Sequence, residues 1–399
     1  MDSSTYMDAL SNASSQDIFE SNDHFNNFDI DIFAHLNNSE ELSEKTSTLE
    51  NSKCLQKKHN SSKEINLKDQ IQNQPKHIFL KMELKQILSI IQTHKGSLGF
   101  QIYLSTFPEN QMDYFIRKIS PILLDIMCSH YGNYFFQKFL QKLNYNQREY
   151  IFNMIKNHIL EISTHKSGTY SIQALIGELQ TKNERESMLN VLAPFYYILF
   201  TNENAYHIIL KLIIDYPEHK RISLNHFIIN NICSLAQNQY SYTCITKFIA
   251  CNKNMNIRIL LLQKLSQNFV DLISFNNGCN IILYIVEKLG SEYINFIFNE
   301  MMTNFSYFIQ NGNDYIYSIE KLLINMYKYN PNRFVDMIWQ ILENHILINC
   351  FFSCPNGTKL ISIIFQFAIP EQKQIFVLKN KHFFQNYFLV SNNSLSFEM

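Results

Sequence analysis

In "SHYGNYFFQKFL", residues 129–140, a single glutamine interrupts an apolar run, and this pattern recurs along the chain. Similar stretches lie on both sides of it, "KGSLGFQIYL" at 95–104 and "SGTYSIQALI" at 167–176. Each has a glutamine in the same place, and these are Gln101, Gln137 and Gln173. Their spacing of 36 residues is a period typical of helical repeat proteins.

The same period continues to the C-terminal part of the chain. The further copies are "NAYHIILKLI" (204–213), "SYTCITKFI" (241–249), "GCNIILYIV" (278–286), "YIYSIEKLL" (315–323) and, after a longer step, "GTKLISIIF" (357–365). In all eight copies the residue before the glutamine position and the residue three after it are apolar. Residues four apart share one helix face, so these two columns predict a buried seam.

Between the copies lies a second helical pattern, seen in "YIFNMIKNHILEIS" and "LLLQKLSQNFVDLIS". The sequence therefore predicts eight two-helix units without strands. A unit of this size cannot bury its seam alone, so the units must stack into an all-α solenoid.

Charge and composition divide the chain into three parts. Residues 1–75 contain 13 Asp+Glu and 6 Lys+Arg, a net charge of −7, whereas the remainder carries +6. The first part is rich in Asn, Ser and acidic residues and has too little apolar surface to form a core. We therefore predict a disordered acidic segment at 1–76, a folded repeat domain at 77–390 and a short tail at 391–399.

Bulk features exclude several classes of protein. No apolar run reaches 18 residues, so no transmembrane helix is predicted, and the polar N-terminus does not resemble a secretory signal. The eight cysteines include no C-x-x-C pair, which argues against a zinc knuckle and for a reduced intracellular protein. There is no Gly-rich phosphate loop, H-E-x-x-H or G-x-S-x-G motif. We predict neither an enzyme nor a bound cofactor.

The glutamine positions indicate a ligand. Asn133 and Gln137 are four residues apart, so both point away from the seam, with Tyr134 beside them. Stacking the units would align such polar pairs along one surface at regular spacing. Single-stranded RNA has a matching periodicity, with one base for each repeat.

These stretches resemble the repeats of the Pumilio (PUF) family of RNA-binding proteins over about residues 78–385. The resemblance implies a right-handed crescent of eight three-helix repeats whose concave face binds mRNA 3′ untranslated regions. It also implies RNA running antiparallel to the protein, a cytoplasmic role in controlling translation or mRNA stability, and repressor or deadenylase-recruiting proteins as partners. Glu320 occupies the glutamine position of the seventh repeat, as is usual in the family.

Side-chain chemistry suggests which base each pair recognises. The Asn133/Gln137 pair suits uracil, and a small hydroxyl with Gln leaves room for adenine, while Glu320 can accept two hydrogen bonds from guanine. The predicted RNA ends in 5′-…AUA-3′, with G further upstream. The predicted RNA-binding residues are Ser97, Leu98, Gln101, Asn133, Tyr134, Gln137, Thr169, Tyr170, Gln173, Tyr206, Tyr242, Asn280, Tyr317 and Glu320.

Other repeats depart from this pattern. The pairs of repeats four and six are apolar, Ala205/Ile209 and Cys279/Leu283, and Ile316 replaces the usual small polar partner of Glu320. No base is assigned to Tyr242/Thr246 in repeat five or to Thr358/Ser362 in repeat eight.

Alternative interpretations remain open at this stage. A glutamine in an apolar helix is commonly a rim residue, and an aromatic at helical spacing is commonly packing. His94, His130 and His165 precede successive helices, where capping or loop packing is expected in preference to a metal site. Stacked helix pairs also suit a protein-binding solenoid of the HEAT or armadillo type. A third alternative is a nucleolar PUF-like protein that binds structured RNA through basic patches.

Overall fold

The computed structural model describes residues 81–289, 293–354 and 357–381. The described part contains helices and no β-strand. The predicted disordered segment at 1–76 and the tail at 391–399 lie outside the described residues. Within the described part, no helix is both long enough and apolar enough to cross a membrane.

Eight helices contain the eight sequence copies, and we call them the recognition helices. They are α2 (His94–Ser105), α5 (Gly132–Leu140), α8 (Gly168–Glu178), α11 (Tyr206–Asp215), α14 (Gln239–Cys251), α17 (Asn276–Leu289), α19 (Gly312–Tyr329) and α22 (Gly357–Phe367). Each packs against the next in chain order. The predicted all-α solenoid is confirmed.

The remaining α-helices precede, separate or follow the recognition helices. They are α1 (Leu84–Ile91), α3 (Met112–Ile119), α4 (Leu123–Cys128), α6 (Tyr145–Ile155), α7 (Ile159–Thr164), α9 (Lys182–Leu192), α10 (Tyr196–Thr201), α12 (Ile222–Asn230), α13 (Ile232–Ala236), α15 (Met255–Gln267), α16 (Phe269–Ile273), α18 (Ile294–Gln310), α20 (Pro331–Glu343), α21 (His345–Ser353) and α23 (Pro370–Lys379).

The predicted two-helix unit is wrong for six of the seven spacers. In those six the spacer is a longer helix followed by a short one, and only α18 is undivided. Short 3₁₀ turns join the two helices in three spacers, and two of these turns contain a proline, Pro121 or Pro194. Proline has no N–H to donate and interrupts an α-helix, which explains the division there. The three-helix repeat implied by the family resemblance is the correct one.

The two apolar columns form the core, as the sequence predicts. In repeats one to seven both columns are almost fully buried, with Phe136 and Leu140 as the pair in repeat two. In repeat eight Ile361 and Phe365 are only partly buried, and the neighbouring Leu360 and Ile364 are buried in their place. The buried face of α22 is therefore rotated by one residue relative to the other recognition helices. This rotation follows the longer, 42-residue step before repeat eight.

Candidate nucleic-acid interface

Glycines let five of the recognition helices begin close to the helix before them. A Cβ on Gly132 would lie 2.5 Å from the carbonyl oxygen of Ile126 and 2.8 Å from Cβ of Ser129, closer than packed atoms can approach. The same approach, to the carbonyl six residues earlier, recurs in four other repeats, at Gly96, Gly168, Gly278 and Gly357. The glycine thus fixes where the first turn of the helix lies.

The predicted polar pairs of repeats one to three are each joined by a hydrogen bond. Nε2 of Gln137 donates to Oδ1 of Asn133 at 3.0 Å. Gln101 donates in the same way to Oγ of Ser97, and Gln173 to Oγ1 of Thr169, both at 3.3 Å. The two members of each pair therefore share one helix face, as the sequence predicts.

The first member of each pair is buried and bound to backbone. The Ser97 hydroxyl donates to the carbonyl of Tyr131, and the Thr169 hydroxyl to that of Asn204, each at 2.8 Å and each in the next repeat. Nδ2 of Asn133 donates to the carbonyls of Ser129 and His130 at 2.9 and 2.8 Å. These bonds hold the polar pair rigidly before any ligand arrives.

The glutamine amide is the part of each pair that a ligand can contact. Gln101, Gln137 and Gln173 are half-buried, and each uses one N–H within the pair. Their carbonyl oxygen and second N–H stay available, and a donor beside an acceptor matches the edge of uracil or adenine. The arrangement is suited to a flat partner that presents hydrogen-bonding groups at its edge.

Exposed side chains stand next to these pairs. Leu98, Tyr170 and Tyr317 are 51%, 47% and 67% exposed, and Tyr134 is also exposed. Exposed tyrosine rings are surfaces on which bases can stack. Tyr206 differs, because its ring stacks on Tyr240 with centroids 5.3 Å apart and an angle of 27°.

Repeats four to six place the predicted residues differently. Ala205 and Ile209 are fully buried. Tyr242 is half-buried; burial raises the pKa of its phenol, and the nearby Tyr284 and Glu287 raise it further. Oδ1 of Asn280 accepts a hydrogen bond from Nζ of Lys321, which lies in the next repeat.

Repeats seven and eight complete the series. Glu320 and Ile316 are half-buried, and no hydrogen bond or ion pair of the Glu320 carboxylate occurs among the described residues. This acceptor is therefore available for a ligand. In repeat eight the exposed Ser362 donates to the carbonyl of Lys359 at 2.8 Å.

The three histidines cap or pack loops, as predicted. Nδ1 of His165 accepts from the backbone N–H groups of Ser167 and Gly168 at 3.1 and 3.2 Å, at the start of α8. The rings of His94 and His130 both pack edge-on against Tyr131. Across the described ranges, no cluster of three or more His, Cys, Asp or Glu could hold a metal ion.

Sequence analysis missed a column of arginines behind the recognition helices. Its members donate to carbonyls at the ends of successive recognition helices: Arg148 to Leu143, Arg185 to Leu179, Arg221 to Ile213 and Arg258 to Asn252. Their spacing of 37, 36 and 37 residues was visible in the sequence. They satisfy carbonyls that a helix end leaves without partners.

One arginine of the column also links two repeats. Nε of Arg148 contacts Oε1 of Glu184 at 2.8 Å, and both side chains are about 5% exposed. Burial alone would raise the pKa of Glu184, but hydrogen bonds from Arg148 and Thr181 outweigh it and hold the pKa below its usual value. The pair fixes α6 to α9, behind the second and third recognition helices.

Comparison with known proteins agrees with this architecture. A sequence profile of the Pumilio-family RNA binding repeat matches residues 123–156, 158–193 and 276–302. The last match covers repeat six, which keeps Gly278 and the apolar seam although Cys279 and Leu283 stand where repeats one to three carry their polar pair. No curated protein matches the chain.

Several solved RNA-binding domains have a similar fold. The Puf4 domain bound to an HO endonuclease RNA 3′ UTR sequence is 19% identical, with a TM-score of 0.55 over 75% of this chain and 92% of that one. The yeast Puf5p domain bound to AAT2 RNA is 16% identical, with a TM-score of 0.56 over 82% and 95% of the two chains. The PUF-8 complex with PBE-RNA is 13% identical, with a TM-score of 0.50 over 81% and 99%. The matched repeats and the similar fold confirm the resemblance: the chain carries Pumilio-family repeats within a helical fold like that of these domains.

Proposed function

We propose that the chain binds single-stranded RNA sequence-selectively, with one base on each recognition helix. The observation that carries the proposal is the set of three preorganised polar pairs at identical positions on α2, α5 and α8. A peptide-binding groove has no reason to repeat such a pair at the period of the fold. The Pumilio-family repeats, and similar folds solved with RNA, support the same ligand.

The base preferences follow from the hydrogen-bonding groups. The amide of Gln137 and its partner Asn133 suit uracil, whereas the smaller Ser97 and Thr169 leave room for adenine beside their glutamines. With RNA antiparallel to the protein, the 3′ end of the target is AUA. A wrong base leaves buried polar groups unpaired, which costs about 1–3 kcal/mol for each group.

Basic side chains support an interaction with the RNA backbone. Lysines occupy the position directly after the glutamine position in repeats two, five and seven, as Lys138, Lys247 and Lys321. Lys138 and Lys247 are exposed, one helical turn beyond Tyr134 and Thr243. A cation beside a stacked base lies near its phosphate and contributes affinity that salt weakens.

The biological role that fits this activity is post-transcriptional control. We propose that the protein acts in the cytoplasm on mRNA 3′ untranslated regions and alters translation or mRNA stability. Repressor or deadenylase-recruiting proteins would then be its partners, with the acidic residues 1–76 as a surface for them.

A binding titration with two RNAs tests the proposal. Fluorescence anisotropy with the full chain should give about tenfold weaker binding when AUA is changed to ACA, because cytosine lacks the ring N–H that uracil donates. The variant Gln137→Ala should remove that difference. Equal affinity of the unaltered protein for both RNAs would refute recognition of uracil by repeat two, and absence of binding to either would favour a protein-binding solenoid.

A further inference from the structure

We infer that repeats four to six hold RNA without discriminating among bases. This inference rests on the proposed function. The target would then have two recognised elements, a 5′ G on repeat seven and a 3′ AUA on repeats three to one, separated by three nucleotides of any sequence.

Repeat four offers a base no hydrogen-bonding group. Its pair, Ala205 and Ile209, has apolar side chains that are fully buried, whereas the glutamines at the Ile209 position in repeats one to three are half-buried. The rings of Tyr206 and Tyr240 stack beside this pair, and the Tyr206 ring also contacts that of His207 with centroids 4.0 Å apart, so this face of repeat four is aromatic. Such a face accommodates any base, because every base has a π surface.

Repeat five uses the hydroxyl at its glutamine position, that of Thr246, within its own helix. The Thr246 hydroxyl lies 3.2 Å from the carbonyl of Tyr242 and 3.0 Å from that of Thr243, so its proton is donated within its own helix. Tyr242 fills the position at which repeats one to three carry a small side chain bonded to the glutamine. No amide therefore faces a base at this repeat.

Repeat six combines an absent polar group, as in repeat four, with polar atoms bonded within the protein, as in repeat five. The Cys279 thiol is buried and contacts the carbonyl of Ser318 at 3.8 Å, and Leu283 has no polar atom. Asn280 has an amide, but its oxygen already accepts from Lys321 of repeat seven. A base here meets no amide at the glutamine position, and the Asn280 oxygen is occupied.

The contrast between the two halves of the repeat array carries the inference. In repeats one to three a half-exposed amide is held in place with a lone pair and an N–H still available. In repeats four to six the glutamine position holds Ile209, Thr246 or Leu283, so no amide with an available lone pair and N–H stands there. A protein distinguishes one base from another through hydrogen-bonding atoms that contact the base edge. Packing against the flat face of a base needs no such atoms.

Competition titrations with the full chain test this inference. The probe is 5′-UGNNNAUA-3′, in which the three central bases are changed one at a time to each of the other bases. We expect changes in Kd below about threefold at the three central positions and about tenfold when the U of AUA becomes C. Discrimination of tenfold at any central position would overturn the inference while leaving RNA recognition intact. Loss of binding to every RNA would refute the proposed function.

Spacing gives a second readout. Deleting one of the three central nucleotides should weaken binding at least tenfold, because the two recognised elements would no longer reach repeats seven and three together. Unchanged affinity after the deletion would show that the central nucleotides do not lie on repeats four to six, and it would overturn the inference.

A gain of recognition can be engineered in repeat six. The double substitution Cys279→Ser and Leu283→Gln recreates the pair of repeat one at a site where residue 283 is half-buried. We expect about a tenfold preference for adenine at the base opposite repeat six, with an unchanged preference at AUA. A folded variant, judged by its thermal midpoint, that gains no preference would show that this base lies away from α17.

Discussion

The strongest prediction about stability concerns the buried ion pair behind repeats two and three. The Glu184 carboxylate accepts from Nε of Arg148 at 2.8 Å and from the N–H groups of Thr181 and Gln180 at 2.8 and 3.1 Å. Glu184→Ala removes all three acceptor contacts and leaves the Arg148 guanidinium buried and without its counter-ion. Removing one partner of a buried pair costs about 3–5 kcal/mol.

Urea unfolding followed by far-ultraviolet circular dichroism measures that loss. Because solenoids can unfold in parts, hydrogen exchange of the backbone amides should be measured as well. We expect the loss of protection from exchange to be concentrated in α6 and α9. The matched control is Glu186→Ala in the same helix, since Glu186 pairs with Lys182 at 3.5 Å in an exposed position. Its expected cost is about 0.5 kcal/mol or less.

The pH dependence gives the same pair a second test. The pKa of Glu184 is lower in the folded protein than in the unfolded chain, so its contribution to stability is complete above the unfolded pKa. That contribution is lost as the pH falls through the folded pKa. The difference in the free energy of unfolding between the unaltered protein and Glu184→Ala should therefore be largest at pH 7. It should become smaller as the pH falls into the acidic range. Equal stability of the Glu184→Ala and Glu186→Ala variants at pH 7 would refute the reasoning.

Three further predictions concern the recognition helices. Asn133→Ser with Gln137→Glu should move the preference of repeat two from uracil towards guanine in RNA competition assays, because a carboxylate accepts from the two donors of the guanine edge. Tyr317→Ala should weaken RNA binding by about 1–3 kcal/mol in anisotropy titrations, since the exposed ring is a stacking surface. Gly132→Ala should lower the thermal midpoint, because its Cβ would lie 2.5 Å from the carbonyl oxygen of Ile126.

Two matched variants serve as controls for Tyr317→Ala and Gly132→Ala. Tyr114→Ala removes a tyrosine that is similarly exposed on the spacer helix α3 and should leave RNA affinity unchanged. Gly177→Ala lies in a recognition helix with only ordinary contacts, the nearest at 3.6 Å, and should stabilise the helix by about 0.5–1 kcal/mol. An unchanged base preference in the repeat-two variant would show that the glutamine position is assigned wrongly.

The repeat architecture could be predicted because it depends on local spacing. The recurrence of Gln101, Gln137 and Gln173 at 36 residues located the recognition helices, and the apolar columns located the core. The period also predicted that Asn133 and Gln137 share a face, and the hydrogen bond between them confirms it. The apolar columns and the shared face follow from helical periodicity within about ten residues of chain, and the repeat follows from the recurrence at 36 residues.

Features that depend on contacts between repeats were not predicted. The stack of Tyr206 on Tyr240 and the bond from Lys321 to Asn280 join side chains 34 and 41 residues apart, and neither partner is unusual alone. The division of the spacers was missed because an apolar pattern continues across the break. The arginine column, by contrast, recurs at the period of the fold and could have been found.

The proposed function is recognition of RNA bases through side-chain pairs on consecutive recognition helices. Selection of the full chain against a random single-stranded RNA pool at moderate salt, followed by sequencing, tests it most directly. We expect enriched sites that end in AUA, with a G four nucleotides upstream of that element and no preference at the three bases between them. A pool without any enriched sequence would contradict it.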